Sequence, residues 1–429
     1  SLQEAATSLT AITVKASRSP QASDANVMRI SQEETLRFPA TFNDPARLAL
    51  AYPGVSGAND QANLLIVRGQ SPLGMQWRLE GLEIVNPNHT SNAGTFSDRS
   101  TTSGGGVNAL SSQLLEEANF YLGSFPTSFS NATAGLMDMR FRKGNNERRE
   151  YTFQAGLIGL DLAAEGPIQK NKSSYLINYR YSFTGVLSDL GVPLGDEDIR
   201  FQDLSYHLSF PTESGRQLKI FGLSGKSSNA FSQPEDPADW ETEKDLYRSI
   251  DFRSSINSHG FSWTKPQSDK GLWRVAGMVS WLNSERQAIP SDAVALEEDN
   301  LEETKSSLQI SYRRKLLPFG SLRLGVEGIH LDQGSEYLLG NEINLRKKKG
   351  VIVSPYLNWR YQIKKVNLAL GYRTSLWLDW PDWAGKKAYG EPRLSVGYSF
   401  SKKNSMLVDY SVSSQASSVF APAFQPRRA

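Results

Sequence analysis

The residues able to do chemistry here are few in kind and scattered in position. Four histidines, His89, His207, His259 and His330, stand far apart and show no metal-ligand spacing. Carboxylates are plentiful, 45 Asp and Glu against 47 Lys and Arg in 429 residues. They gather at Asp196–Asp198, Glu235–Asp245 and Glu297–Glu303, where their oxygens could hold calcium or simply face water. The chain has no cysteine, which excludes disulfides, thiolate metal sites and thiol nucleophiles. There is no Gly-x-Ser-x-Gly elbow and no His-Glu-x-x-His pair. Gly104-Gly105-Gly106 lacks the Lys-Ser/Thr of a phosphate loop and reads as a flexible loop. The sequons at Asn88, Asn131 and Asn171 matter only in a eukaryotic secretory protein. These residues support no catalytic role, no cofactor and no metal, and the chain reads as a non-enzyme.

A net charge of +2 gives no electrostatic reason to expect nucleic acid as a partner. No run of about 18 apolar residues occurs, so no transmembrane helix is expected. The elements that must position any site are strands. From Arg148 to Phe420 apolar and polar residues alternate with period two, the mark of a strand whose faces see different surroundings. Val351, Val353, Pro355, Leu357, Trp359, Tyr361 and Ile363 share one face, with Ser354, Asn358, Arg360 and Gln362 on the other. The next run sets Val366, Leu368, Leu370, Tyr372, Leu376 and Leu378 against Asn367, Arg373, Ser375 and Asp379. Such runs reach the roughly 9–11 residues that a tilted strand needs to cross a bilayer, whereas strands of soluble proteins average about 5–6.

Connections alternate in length. Short ones fall near Gln169–Ser173, Glu213–Gln217, Ser268–Gly271, Pro318–Gly320, Lys364–Lys365 and Ser401–Asn404. Between them lie long polar segments at Ser188–Asp203, Ser232–Asn257, Ser291–Glu303, Asn341–Lys349 and Pro381–Glu391. Short turns at one end and long loops at the other are what an outer-membrane barrel produces. Trp273, Trp281, Trp359, Trp377, Trp380 and Trp383 sit where strands meet loops and are expected to form aromatic girdles.

Residues 1–147 lack long alternating runs. They carry turn clusters such as Tyr52-Pro53-Gly54 and short β-like runs at Leu64–Val67 and Ala118–Leu122, the pattern of a small α/β domain. Within it, Asn63-Leu64-Leu65-Ile66-Val67-Arg68-Gly69 followed by Trp77-Arg78-Leu79-Glu80-Gly81 resembles the plug domain of TonB-dependent outer-membrane receptors. Leu115-Glu116-Glu117-Ala118-Asn119-Phe120-Tyr121-Leu122-Gly123 resembles the plug's glutamate, apolar strand and glycine segment. Ala134-Gly135-Leu136-Met137-Asp138-Met139 resembles the last plug strand, and Ala11-Ile12-Thr13-Val14-Lys15-Ala16 is similar to a TonB box. Glu80 stands where the family usually has Asp. The Glu165-Gly166-Pro167 turn and Ser173–Ser182 look most like receptors from Bacteroidota.

The resemblance implies a mostly β chain in three parts: a flexible segment 1–25 with the TonB-box-like stretch, a small α/β plug at 26–147, and an antiparallel transmembrane β-barrel at 148–429. It implies coupling through Ile12, Thr13, Val14, Lys15 and Ala16, and a plug framework of Arg68, Gly69, Glu80, Gly81, Glu116, Gly123 and Gly135, with Arg68 holding a buried carboxylate such as Glu116 or Glu117. Implied partners are a TonB-type energising protein on the periplasmic side, outer-membrane lipid, a small or oligomeric external ligand and a surface lipoprotein. The location implied is the Gram-negative outer membrane, and the function is energy-coupled import of a siderophore, cofactor, glycan or peptide. A passive barrel serving an assembly or adhesion, and a soluble β-rich binding module, are the alternatives.

Strand parity adds a separate expectation. A plug ending on the periplasmic side requires two strands within 148–167, turning near Gly156 or Gly159, and counting onward gives about thirteen strands. An odd count, and the non-aromatic end Gln425-Pro426-Arg427-Arg428-Ala429, lead to the expectation that C-terminal strands are missing.

Overall fold

The computed structural model describes residues 27–416 apart from 39–43, 58–61, 96–97, 157–158, 183–196, 241–242, 268–269, 292–295, 317, 341, 379–387 and 402–403. The first part contains β1 (Val27–Ser31), α1 (Gln32–Arg37), α2 (Pro45–Ala49), β2 (Val55–Gly57), β3 (Leu65–Val67), β4 (Met75–Leu79) and β5 (Leu82–Ile84). It continues with β6 (Asn88–His89), β7 (Val107–Asn108), β8 (Leu115–Tyr121) and β9 (Gly135–Phe141). Five of these strands form a mixed sheet in the order β1-β8-β9-β4-β5, in which β4 runs parallel to β9. Both helices start on side-chain caps. Ser31 and Glu34 form a reciprocal capping box, and Asp44 caps α2 with Pro45 at its first turn. Trp77, Leu79, Ile84, Phe120, Met137 and Phe141 are buried around this sheet.

The second part is one antiparallel meander of thirteen strands, each paired with its neighbours in chain order. These are β10 (Glu150–Gly156), β11 (Gly159–Gln169), β12 (Ser173–Tyr181), β13 (Glu197–Pro211), β14 (Gln217–Ser232), β15 (Tyr247–Gln267) and β16 (Gly271–Pro290). They continue as β17 (Glu297–Lys315), β18 (Ser321–Leu339), β19 (Glu342–Ile363), β20 (Val366–Leu378), β21 (Ala388–Ser399) and β22 (Ser405–Ser411). Gly156 pairs with Gly159 at the first hairpin, and among the described residues β10 and β22 are the two edges of the sheet.

Alternation sorts the two faces of this wall. On β18, Glu327, Ile329 and Leu331 are buried on the inner face, Glu327 against Arg78 of the first part of the chain, whereas Leu324 points outward and is exposed. Leu308, Leu357, Leu370, Tyr372, Val396 and Val408 continue the exposed apolar outer band. Ring pairs Trp273–Tyr312, Trp359–Tyr361 and Tyr398–Phe400, with centroids 4.7, 5.5 and 4.9 Å apart, line the short-turn end. Trp377 departs from the girdle expectation: it is buried beside Ile329, Leu331 and Ile352, on the parity of Arg373 and Ser375. Trp380 and Trp383 lie outside the described residues.

Several loop expectations are corrected: β13 already starts at Glu197 and β15 at Tyr247, within the segments Ser188–Asp203 and Ser232–Asn257 read as loops. Asn341–Lys349 is not a long loop, because β18 runs to Leu339 and β19 starts at Glu342. Glu297–Glu303 is likewise the first third of β17. These last two extensions carry mostly charged and polar side chains, with Ile343, Leu345 and Leu301 as apolar exceptions, so the period-two signal fades although the hydrogen-bonded ladder continues. The glycine run is not a flexible loop either. A Cβ on Gly104 would meet Leu64 at 2.7 Å and one on Gly105 the His89 carbonyl at 2.5 Å, so both glycines permit close backbone packing.

Candidate functional site

The first part of the chain rests on the inner face of the wall, and their contact is the candidate site. Its centre is the hairpin between β4 and β5. Glu80 and Gly81 have φ of +52° and +82°, the left-handed pair of a type I′ two-residue turn. A non-glycine residue there costs roughly 1–2 kcal/mol, and Asp or Asn is the usual choice. The longer Glu80 gains reach. Its Oε1 accepts from the Phe141 amide at 3.0 Å, and its Oε2 from Lys219 Nζ on β14 at 3.2 Å. Arg274 Nη2 on β16 donates to the Glu80 carbonyl at 2.6 Å. Burial alone would raise the Glu80 carboxyl, but Lys219 and Arg140 hold it below the ordinary carboxylate value.

One residue earlier, fully buried Arg78 donates to Glu327 Oε1 on β18 at 2.8 Å and to the Gly81 carbonyl at 2.9 Å. Glu327 Oε2 accepts from Arg373 Nη2 on β20 at 2.6 Å and from Ser130 Oγ at 2.7 Å. One carboxylate from the wall is thus clamped by a guanidinium from each part of the chain, all three side chains excluded from water. Arg78 also lies over the Phe129 ring, 4.4 Å from its centroid. On β5, Glu83 meets Lys305 of β17 at 3.2 Å and accepts from Gln76 and Asn131. At one flank Arg393 of β21 donates to the carbonyls of Phe125, Pro126 and Phe129 while pairing with Glu391. At the other, Asp203 of β13 accepts from Arg180 of β12 and faces His89 Nε2 at 3.0 Å. Arg180 reaches the Asn108 carbonyl at 2.6 Å.

Around this charged centre the contact is apolar: Leu176, Phe221, Leu223, Met278 and Leu282 of the wall share one buried core with Leu79, Ile84 and Phe141 of the first part. A buried ion pair roughly breaks even against its hydrated partners, whereas separating apolar surface costs about 25 cal/mol per Å². The charged pairs therefore make the closed contact specific at little net cost to separate, while the apolar core around them supplies the holding energy.

Among the residues expected as framework, Glu80 and Gly81 lie at this contact. Arg68 and Gly69, with φ of +52° and +73°, form a second left-handed turn after β3. Gly123 adjoins Arg68: a Cβ there would lie 3.4 Å from its Nη1. Gly135 lets β9 close on β3, since a Cβ would meet Val67 Cγ2 at 2.7 Å. Arg68 does not hold a buried carboxylate in Glu116 or Glu117. It is exposed, Glu116 is the exposed extra residue of a β-bulge, and Glu117 is half-buried. Ile12, Thr13, Val14, Lys15 and Ala16 lie outside the described residues. The clamp residues Arg78, Glu83, Lys305, Glu327 and Arg373 were not singled out from sequence. A charge at the middle of an alternating strand was the available signal, and Arg373 already stood on the polar face.

Among the described residues no group of three or more His, Asp or Glu is placed to hold a metal. Within the Glu297–Glu303 cluster, Glu297 and Asp299 pair with Arg286, and Glu303 with Lys305.

No family model matches this chain, and no curated protein matches it. Solved structures do. The siderophore receptor PirA from Acinetobacter baumannii aligns with a TM-score of 0.62 at 15% identity, over 88% of this chain and 59% of that one. The ferric enterobactin receptor PfeA from Pseudomonas aeruginosa aligns at 0.61 and 14% identity, over 89% and 61%. The ferric-catecholate import receptor Fiu from E. coli K12 aligns at 0.64 and 11%, over 94% and 71%. The chain thus spans about 60% of the length of the first two. These matches are receptors rather than enzymes, and they lend no support to a Bacteroidota affinity. With its inner mixed sheet held against a thirteen-strand antiparallel wall, the chain has the plug-and-barrel fold of these siderophore receptors.

Proposed function

We propose that this chain is the plug and much of the barrel of a TonB-dependent receptor in the Gram-negative outer membrane, importing a scarce external ligand. The observation that carries the reading is the charged contact between plug and wall, centred on Arg78, Glu327 and Arg373. It keeps the plug in place at rest and lets it shift under force. The apolar outer band and the aromatic pairs at the short-turn end suit a wall set in lipid, with the short turns in the periplasm. The ligand class is a siderophore, by likeness to the receptors it matches. Ile12–Ala16 is the segment a TonB-type protein would capture by strand addition. Pulling on it must change the plug between states of different ligand affinity, since only differential affinity converts work into release. Deleting residues 9–17 from the full-length gene is expected to abolish uptake of labelled ferric siderophore while leaving surface binding intact. Uptake at the wild-type rate would refute the coupling role.

A further inference from the structure

Beneath the plug, at the short-turn end of the inner wall, lies a cavity of about 360 Å³ bounded by β17, β18, β19 and β20. Arg313 on β17 stands directly opposite Arg323 on β18. Arg360 on β19 is two residues from Asn358, the cross-strand partner of Arg323. Arg323 shares the inward parity of Glu327, and Arg313 that of Gln309, which donates to the plug carbonyl of Ser128. Like charges directly opposite across a ladder are destabilising. At the plug contact, guanidiniums stand beside carboxylates: Arg78 and Arg373 beside Glu327, Arg393 beside Glu391, Arg140 beside Asp138. This cavity breaks that pattern. Among the described residues its lining holds no carboxylate, and the facing pair Arg313 and Arg323 shares it with neighbours such as Ser321, Asn358 and Asn367.

We propose that the cavity is a binding station for a small polyanion carrying carboxylate or phosphate groups. Planar guanidiniums match such oxyanions in bidentate fashion, and a bound anion removes the repulsion between Arg313 and Arg323. The station faces the space under the plug, so under the import reading, on which its transport role rests, an anionic ligand leaving the plug meets it before the periplasm.

The test uses pyrophosphate as probe, titrated calorimetrically into the full chain purified in detergent. One saturable site is expected, weakening as salt rises. Arg323→Gln is expected to weaken binding by about tenfold or more, and Arg323→Lys to retain most of it. Arg313→Gln is expected to weaken binding and at the same time raise the thermal midpoint, because it relieves the like-charge pair. Absence of saturable binding, equal affinity in the glutamine variants, or a lowered midpoint in Arg313→Gln would overturn the inference. Pyrophosphate binding retained in a chain lacking residues 9–17 keeps this site standing even if that deletion leaves uptake unchanged, so the two readings fail separately.

Discussion

Replacing Glu327 by Gln is the sharpest perturbation of the plug contact. The amide keeps the shape and one acceptor but removes the charge facing two buried guanidiniums, Arg78 at 2.8 Å and Arg373 at 2.6 Å. Each charge-assisted bond is worth about 1.5–3 kcal/mol, and breaking a buried pair by removing one partner costs about 3–5 kcal/mol. At 1.4 kcal/mol per tenfold, local opening of the hairpin should become about two to three and a half powers of ten more frequent. Hydrogen exchange reads this directly, since amides of Arg78–Glu83 report local opening of the plug edge. The expected result is a loss of protection there and at Ser130–Asn131, with β14–β16 unchanged. The triple variant Arg78→Met, Glu327→Leu, Arg373→Met should recover much of the loss, because it strands no charge. Protection in Glu327→Gln within threefold of wild type would refute the clamp.

Other expectations are equally open to measurement. Glu80 has a folded-state pKa below its ordinary value, so its contribution is present above about pH 4.5 and is lost as pH falls through the lowered value; exchange or limited proteolysis of the hairpin between pH 6 and 3 should show the loss, and Glu80→Gln should abolish that dependence. Gly105→Ala should destabilise the plug by about 1–3 kcal/mol, because its Cβ would fall 2.5 Å from the His89 carbonyl, and a denaturant midpoint measures it. Asp203→Asn should loosen the Asn108 and His89 region while leaving the Arg78 hairpin protected, since the two clusters share no partner; exchange in both regions distinguishes them.

The wall was legible in the sequence because alternation is a local consequence of an apolar exposed face on one side and a packed polar interior on the other. From Val351 to Ile363 the outward residues are apolar throughout while Ser354 and Asn358 face inward, and strand parity required the hairpin that joins Gly156 to Gly159. Where charged residues crowd a strand, as at Arg346–Lys349, the same ladder leaves little trace in hydropathy and reads as loop. The left-handed turns at Arg68-Gly69 and Glu80-Gly81 were likewise written locally, by a glycine following the end of a strand.

The partners of the charges were not. Arg78 meets Glu327 across 249 residues of chain, and Glu80 meets Lys219 across 139. Nothing in either neighbourhood names the other. Sequence fixes which side chains leave the backbone on a common face, because that depends on a few dihedral angles. Which of those side chains then share a dry interface depends on how the plug seats against the curved wall, and only the tertiary structure decides that.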